Sequence, residues 1–265
     1  MFKKLKDKLK KIWDSIFKKS EPLKEPQDAS DISDASATEV IIVDAPDAGF
    51  DEDIFDIAQP HAKQRYLWCL DNGHGKLTAG KRSPVFDDGT TQFFEYEFNR
   101  AIVKLIIKQL AVLGVRYFEV VPEVEVGDIL EERVKRANEK TDPLPKIFVS
   151  IHSNAAPAAS PNDWCAPNIR GIETWHYHNS VKGEKIATIF QRHLIQKTGF
   201  VNRHLKSRPE GQFYVLRETK MPAILTENGF YNNKEEAAEL MKKEVRQKIA
   251  DAHVAAILEI EKKDF

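Results

Sequence analysis

Apolar and polar positions along this chain follow two different periods, and their alternation predicts the architecture. Short apolar runs mark strands over 65–71, 115–121, 146–151, 171–177 and 223–227, and the pair Val215-Leu216 suggests one more short strand. Between them, apolar residues at helical spacing predict helices over 93–113, 128–139, 181–198 and 233–260. Gly114 and Gly199 stand where two of these helices need a left-handed terminal residue, and Asn233 with Glu236 has the spacing of a capping pair. Strands alternating with helices imply an α/β fold: a single domain with a twisted, largely parallel sheet flanked by helices on both faces. Ahead of this domain the pattern changes. Phe2, Leu5, Leu9, Ile12, Trp13, Ile16 and Phe17 recur at spacings of three and four among lysines, which predicts an amphipathic helix over 2–19. Residues 20–60 lack such periodicity, apart from the short run Val40–Val43, and are rich in Pro, Ser, Asp and Ala.

Charge sharpens this division. The net charge of −1 over 265 residues conceals +6 over 1–20, −11 over 21–60 and +4 over 61–265. The expected organisation is a basic amphipathic helix (1–20), an acidic disordered linker (21–60) and a folded domain (61–265). Aromatic residues on one face and lysines on the other fit residues 2–19 to an anionic membrane surface. Packing on the domain, on another subunit or under the acidic segment are the competing readings. Charge interrupts the apolar residues of this helix throughout and no small-residue cleavage site follows, so it is not read as a signal peptide. The basic patches lack the aromatic interleaving that nucleic-acid binding would need. Cys69 lies mid-strand and Cys165 in a Pro/Asn-rich loop, with no CxxC pair, and a buried free thiol is expected at Cys69.

Candidate chemistry gathers where strands end. The run Tyr66–Leu70 stops at Asp71-Asn72-Gly73 and delivers His74 between two glycines, which would let the backbone take positive φ. Two later apolar runs end in the same way, one at His152 and one at Glu227. Open α/β folds place their sites at such strand ends. On the helix 93–113, a turn of 100° per residue puts Glu97, Arg100, Lys104 and Lys108 on one solvated stripe, while Glu95 falls among Ile102, Ile106 and Leu113 on the stripe facing the sheet. A carboxylate there needs a cation or donors. A first-turn acid can simply serve its own helix dipole, but two histidines within reach favour ligation. His74, Glu95 and His152 then form an open three-ligand set for zinc, and Glu227 is the candidate general base. Other histidines, His176 and His178 among them, complete no ligand set, and neither HExxH nor a P-loop occurs.

These residues also carry a family resemblance. Asp71-Asn-Gly-His-Gly75, Glu95-x-x-x-Asn99, Arg133-x-x-x-Ala-Asn138, Ser150-Ile-His-Ser-Asn154 and Thr226-Glu-Asn-Gly-Phe230 stand in the order and spacing of zinc-dependent N-acetylmuramoyl-L-alanine amidases of the Amidase_3 class. The resemblance spans about residues 65–260. It implies zinc on His74, Glu95 and His152, Glu227 as catalytic glutamate, and hydrolysis of the amide between N-acetylmuramic acid and L-Ala of the peptidoglycan stem peptide. Asn72 replaces the proline usual in the family, Asn228 stands as a polar residue within the usual Glu-x-Gly, and Val121-Pro122 replaces a Thr-Arg segment. The expectation is a monomeric hydrolase, a phage-type lysin or a cell-wall remodelling enzyme, made in the cytoplasm and acting on the wall or periplasm. Another zinc peptidase, or a membrane-tethered wall-binding module without activity, are the alternatives.

Overall fold

The computed structural model describes residues 64–263. The helix expected over 2–19 and the linker over 21–60 lie outside the described residues. Six strands, β1 (Leu67–Asp71), β2 (Tyr117–Glu119), β3 (Lys146–Asn154), β4 (Ile172–His176), β5 (Asn202–Lys206) and β6 (Ala223–Phe230), form one sheet in the order β2-β1-β3-β6-β4-β5. The first four in this order are mutually parallel; β4 runs antiparallel to β6 and carries β5 parallel to itself. The sheet is therefore mixed but mostly parallel, as the alternation of elements implied.

Six helices complete the domain: α1 (Glu95–Leu113), α2 (Leu130–Glu139), α3 (Val181–Thr198), α4 (Tyr214–Glu218), α5 (Lys234–Met241) and α6 (Lys243–Lys262). Side chains alternate across a strand, and the core divides accordingly. Trp68, Leu70, Ile147, Val149 and Ile151 face α1, α3 and α6. Leu67, Cys69 and Phe148 face the other way, with Val134 and Ala137 of α2 and Val215 and Leu216 of α4. Helices thus cover both faces. Cys69 and Cys165 are free and buried, and burial pushes the Cys69 thiol up to about 11. Among the described residues, no helix is long and apolar enough to cross a membrane.

Several local expectations are corrected. Val215-Leu216 belongs to the one-turn-plus helix α4, not a strand; two apolar residues are too few to reveal a period. The expected helix 233–260 is two helices, broken where Lys242 takes an extended backbone. Asn233 does cap α5, accepting the Glu236 N–H, but the Glu236 carboxylate turns away to accept from the backbone N–H groups of Gly171 and Phe230. Strand β5 has no apolar run to announce it, being an edge strand of sequence Asn-Arg-His-Leu-Lys.

Candidate active site

The carboxyl ends of the parallel strands bring the predicted residues together. His74 follows β1, His152 lies on β3, and Glu227 on β6 is its register partner. Glu95 opens α1 and is buried, whereas Glu97, one stripe away, is exposed. One ligand atom each from His74, Glu95 and His152 falls within 4.8 Å of the others. His74 Nε2 stands 3.4 Å from Glu95 Oε2, and His152 Nδ1 stands 3.1 Å from Glu95 Oε1.

The turn after β1 differs from the expected one. Positive φ belongs to His74 itself, at 61°, not to its neighbouring glycines. Those glycines are needed for room: a Cβ on Gly73 would lie 2.1 Å from His152 Cε1, and one on Gly75 would lie 2.0 Å from the Val126 carbonyl oxygen. The unusual backbone of His74 is held from outside. Arg100 Nη1 and Arg133 Nη2 both donate to its carbonyl, at 2.9 and 2.7 Å, and Asn99 donates to the Gly73 carbonyl at 3.0 Å. Arg100, which its phase assigns to the solvated stripe of α1, is instead 5% exposed, because its guanidinium also meets the carbonyls of Asn72 and Glu123.

Hydrogen bonds on the far side of each imidazole fix which nitrogen is free. Asp128 Oδ1 lies 2.6 Å from His74 Nδ1. Burial acts against the Asp128 charge, but the hydrogen bond and charge of His74 hold its carboxyl below the usual range. As an ionised acceptor, Asp128 accepts a hydrogen bond from His74 Nδ1–H, which leaves Nε2 with a lone pair. Ser150 Oγ lies 3.1 Å from His152 Nε2 and donates its own proton to Asp71 Oδ2 at 2.5 Å. It therefore accepts from His152 Nε2–H, and Nδ1 is left bare. Burial, countered by Glu95, leaves the His74 pKa below its ordinary value, which favours the neutral imidazole that a metal requires.

Two contacts then set a lone pair against a carboxylate oxygen with no proton between them. Glu95 Oε2 is buried and without a hydrogen-bond partner, while Oε1 also accepts from Ser153 N–H at 3.2 Å. Such acceptor-against-acceptor geometry is satisfied by a shared cation. Two imidazole nitrogens and one carboxylate suit a divalent metal with an open position.

Glu227 is buried, its Oε2 has no partner, and burial followed by the charges of Glu95 and Glu173 raises its pKa well above the usual value. Glu173, on β4, stands directly opposite it in the antiparallel register. Asn154 Nδ2, Trp175 Nε1 and Arg203 Nε fix the Glu173 carboxylate at 3.0, 2.9 and 2.9 Å. Sequence patterning gave no sign of Asp128, which sits on a loop, or of Glu173, which looks like any polar strand residue. Asn72, at the position usually occupied by proline, donates to Val121 O at 3.0 Å and ties β1 to the end of β2. Asn228 donates to His152 O at 3.0 Å, across the register shift between β3 and β6.

Comparison with known proteins places this geometry. The family model Amidase_3, N-acetylmuramoyl-L-alanine amidase, matches residues 69–259. The chain belongs to this amidase family. Its folded domain is a peptidoglycan amidase domain. The endolysin of Bacillus phage SPP1 is 31% identical over 204 residues, covering 74% of this chain and 66% of that protein. The uncharacterised protein YqiI of Bacillus subtilis (strain 168) is 31% identical over 195 residues, covering 71% and 81%. The crystal structure of an N-acetylmuramoyl-L-alanine amidase from Clostridium difficile 630 superimposes with a TM-score of 0.62 and 26% identity, over 77% of this chain and all of that one. The chain thus spans just under two thirds of the endolysin's length.

Proposed function

We propose that the whole protein is a zinc-dependent peptidoglycan hydrolase that cleaves the amide between N-acetylmuramic acid and L-Ala of the stem peptide. The observation that carries this reading is the buried, unpartnered Glu95 Oε2 facing His74 Nε2, beside His152 Nδ1. His74, Glu95 and His152 would hold Zn²⁺, which when bound supplies Lewis acidity toward a water and a carbonyl oxygen. Asp128 and Ser150 keep the two imidazoles in the tautomers that present bare nitrogens to that metal. Glu227 Oε2 takes the proton of the attacking water and returns it to the departing L-Ala amine. A carboxyl with a raised pKa suits both steps, since it is a stronger base than an ordinary carboxylate and can still return the proton it takes. The likeness to the phage endolysin fits a lysin role.

The test is mass spectrometry of muropeptides released by the purified protein, alongside its metal content. Wild type is expected to release intact stem peptides beginning at L-Ala, with about one zinc per chain. Glu227→Gln should keep the zinc and lose turnover by roughly a hundredfold or more. Zinc lost together with activity would make Glu227 a ligand instead, and cleavage inside the peptide would make the protein a peptidase.

A further inference from the structure

Lys81 brings another charge to this site. Residues 81–83 and 93–95 form a short antiparallel ribbon. Glu95 N–H donates to the Lys81 carbonyl at 3.0 Å, Ser83 N–H donates to the Phe93 carbonyl at 2.9 Å, and Arg82 pairs with Phe94 between them. Residues directly opposed in such a ribbon share a face. Lys81 therefore lies on the face of Glu95, together with the opposed pair Ser83 and Phe93, and Arg82 with Phe94 takes the other. Burial follows this division: Ser83, Phe93 and Glu95 are each 1% exposed, while Arg82 is exposed and Lys81 stands half-buried at the rim.

Cations near the site differ in what they are bound to. Arg100 is spent on backbone carbonyls, Arg133 on Asp71 and on carbonyls, and Arg203 on Glu173. Among the described residues the Lys81 ammonium has neither a hydrogen bond nor an ion pair. Its place opposite Glu95 in the ribbon puts this ammonium on the side of the strand that carries the ligand set. A free ammonium at the rim, anchored through its own carbonyl to Glu95 at the start of α1, is placed to meet an anion arriving from solvent.

We propose that Lys81 is a substrate-binding residue that receives the stem-peptide carboxylate nearest the scissile amide. This rests on the amidase reading of the same site. A rim position favours a group carried in by the substrate over the oxyanion that develops at the buried centre.

Two synthetic muramoyl peptides test it, one with a free carboxylate on the residue after L-Ala and one with that group amidated, assayed with zinc-loaded full-length protein. Lys81→Met is expected to raise KM for the free carboxylate roughly tenfold, the scale of a hydrogen bond to a charged group, with kcat within about twofold. On the amidated peptide both constants should stay within about twofold of wild type, and Lys81→Arg should restore most of the lost KM, because the charge alone is at stake. Zinc content and melting temperature should be unchanged in both variants. Equal losses on both peptides, a loss confined to kcat, no change at all, or loss of zinc would each overturn the assignment. Wild type that cleaves neither peptide would overturn the amidase reading and this one with it, a pattern distinct from selective failure of the variant.

Discussion

Two groups of buried carboxylates lie within the same strand ends, and they are treated in opposite ways. Asp71 and Glu95 are each 1% exposed. On the floor of the site, both Asp71 oxygens are satisfied, by Arg133 Nη1 and Ser150 Oγ at 2.5 Å each. At the mouth, one oxygen of Glu95 and one of Glu227 have no partner. Leaving a buried acceptor unpaired costs on the order of 1–3 kcal/mol. A fold that closes one network completely and leaves its neighbour open is separating support from chemistry. The closed network holds residues still, and the open one is where something must bind or a proton must move.

The comparison breaks most severely if the floor is opened. Arg133→Met leaves Asp71 charged, buried and half-unpaired, and should cost about 3–5 kcal/mol of stability, read from urea unfolding. The acid limb sharpens this expectation. Burial alone would raise the Asp71 carboxyl, but Arg133 and the Ser150 hydrogen bond hold it below the ordinary range. Its folded pKa lies under its unfolded one, so its contribution is complete above about pH 4 and is lost as pH falls through the lower folded value. Arg133→Met should flatten that acid dependence. A variant as stable as wild type would mean that the floor is not structural.

At the mouth the expected loss is of metal, not of fold. Glu95→Ala should weaken zinc binding by more than about a hundredfold, since even an outer partner is worth ten- to hundredfold. Glu97→Ala, on the exposed stripe, should bind and turn over as wild type does. Titration of apoprotein with zinc separates the two, and a dead Glu97→Ala would show that the phase of α1 is wrong. The smallest effect falls between floor and mouth. Asp128→Asn keeps the shape but removes the charge that fixes the His74 tautomer, and should weaken zinc by roughly ten- to hundredfold with little change in melting temperature. Unaltered zinc affinity would place Asp128 outside the site's support.

What could be read from sequence here was what periodicity encodes. Glu95 and Glu97 differ by two residues, and 100° per residue separates them onto opposite stripes, as the structure shows. The strand ends put His74, His152 and Glu227 together because a parallel sheet lines up its carboxyl ends. Arg100 escapes this reasoning because its phase fits a solvated stripe, while its long guanidinium turns back toward carbonyls that the turn after β1 exposes. Asp128 escaped because loops have no period. Strand β5 escaped because an edge strand with few apolar residues leaves no alternation to see. The reversed direction of β4 and β5 has no sequence signal of its own, as strand runs look alike in either direction.

The grip on the His74 carbonyl has a consequence for the protein's life history. Two guanidiniums from different helices hold that peptide in its left-handed turn, and neither depends on the ligand side of the imidazole. The socket is therefore finished when the chain finishes folding. Loading and exchange of the proposed zinc would then be events at a standing surface, decoupled from folding and refolding, and zinc-loaded protein stripped by chelation should refill without passing through an opened state.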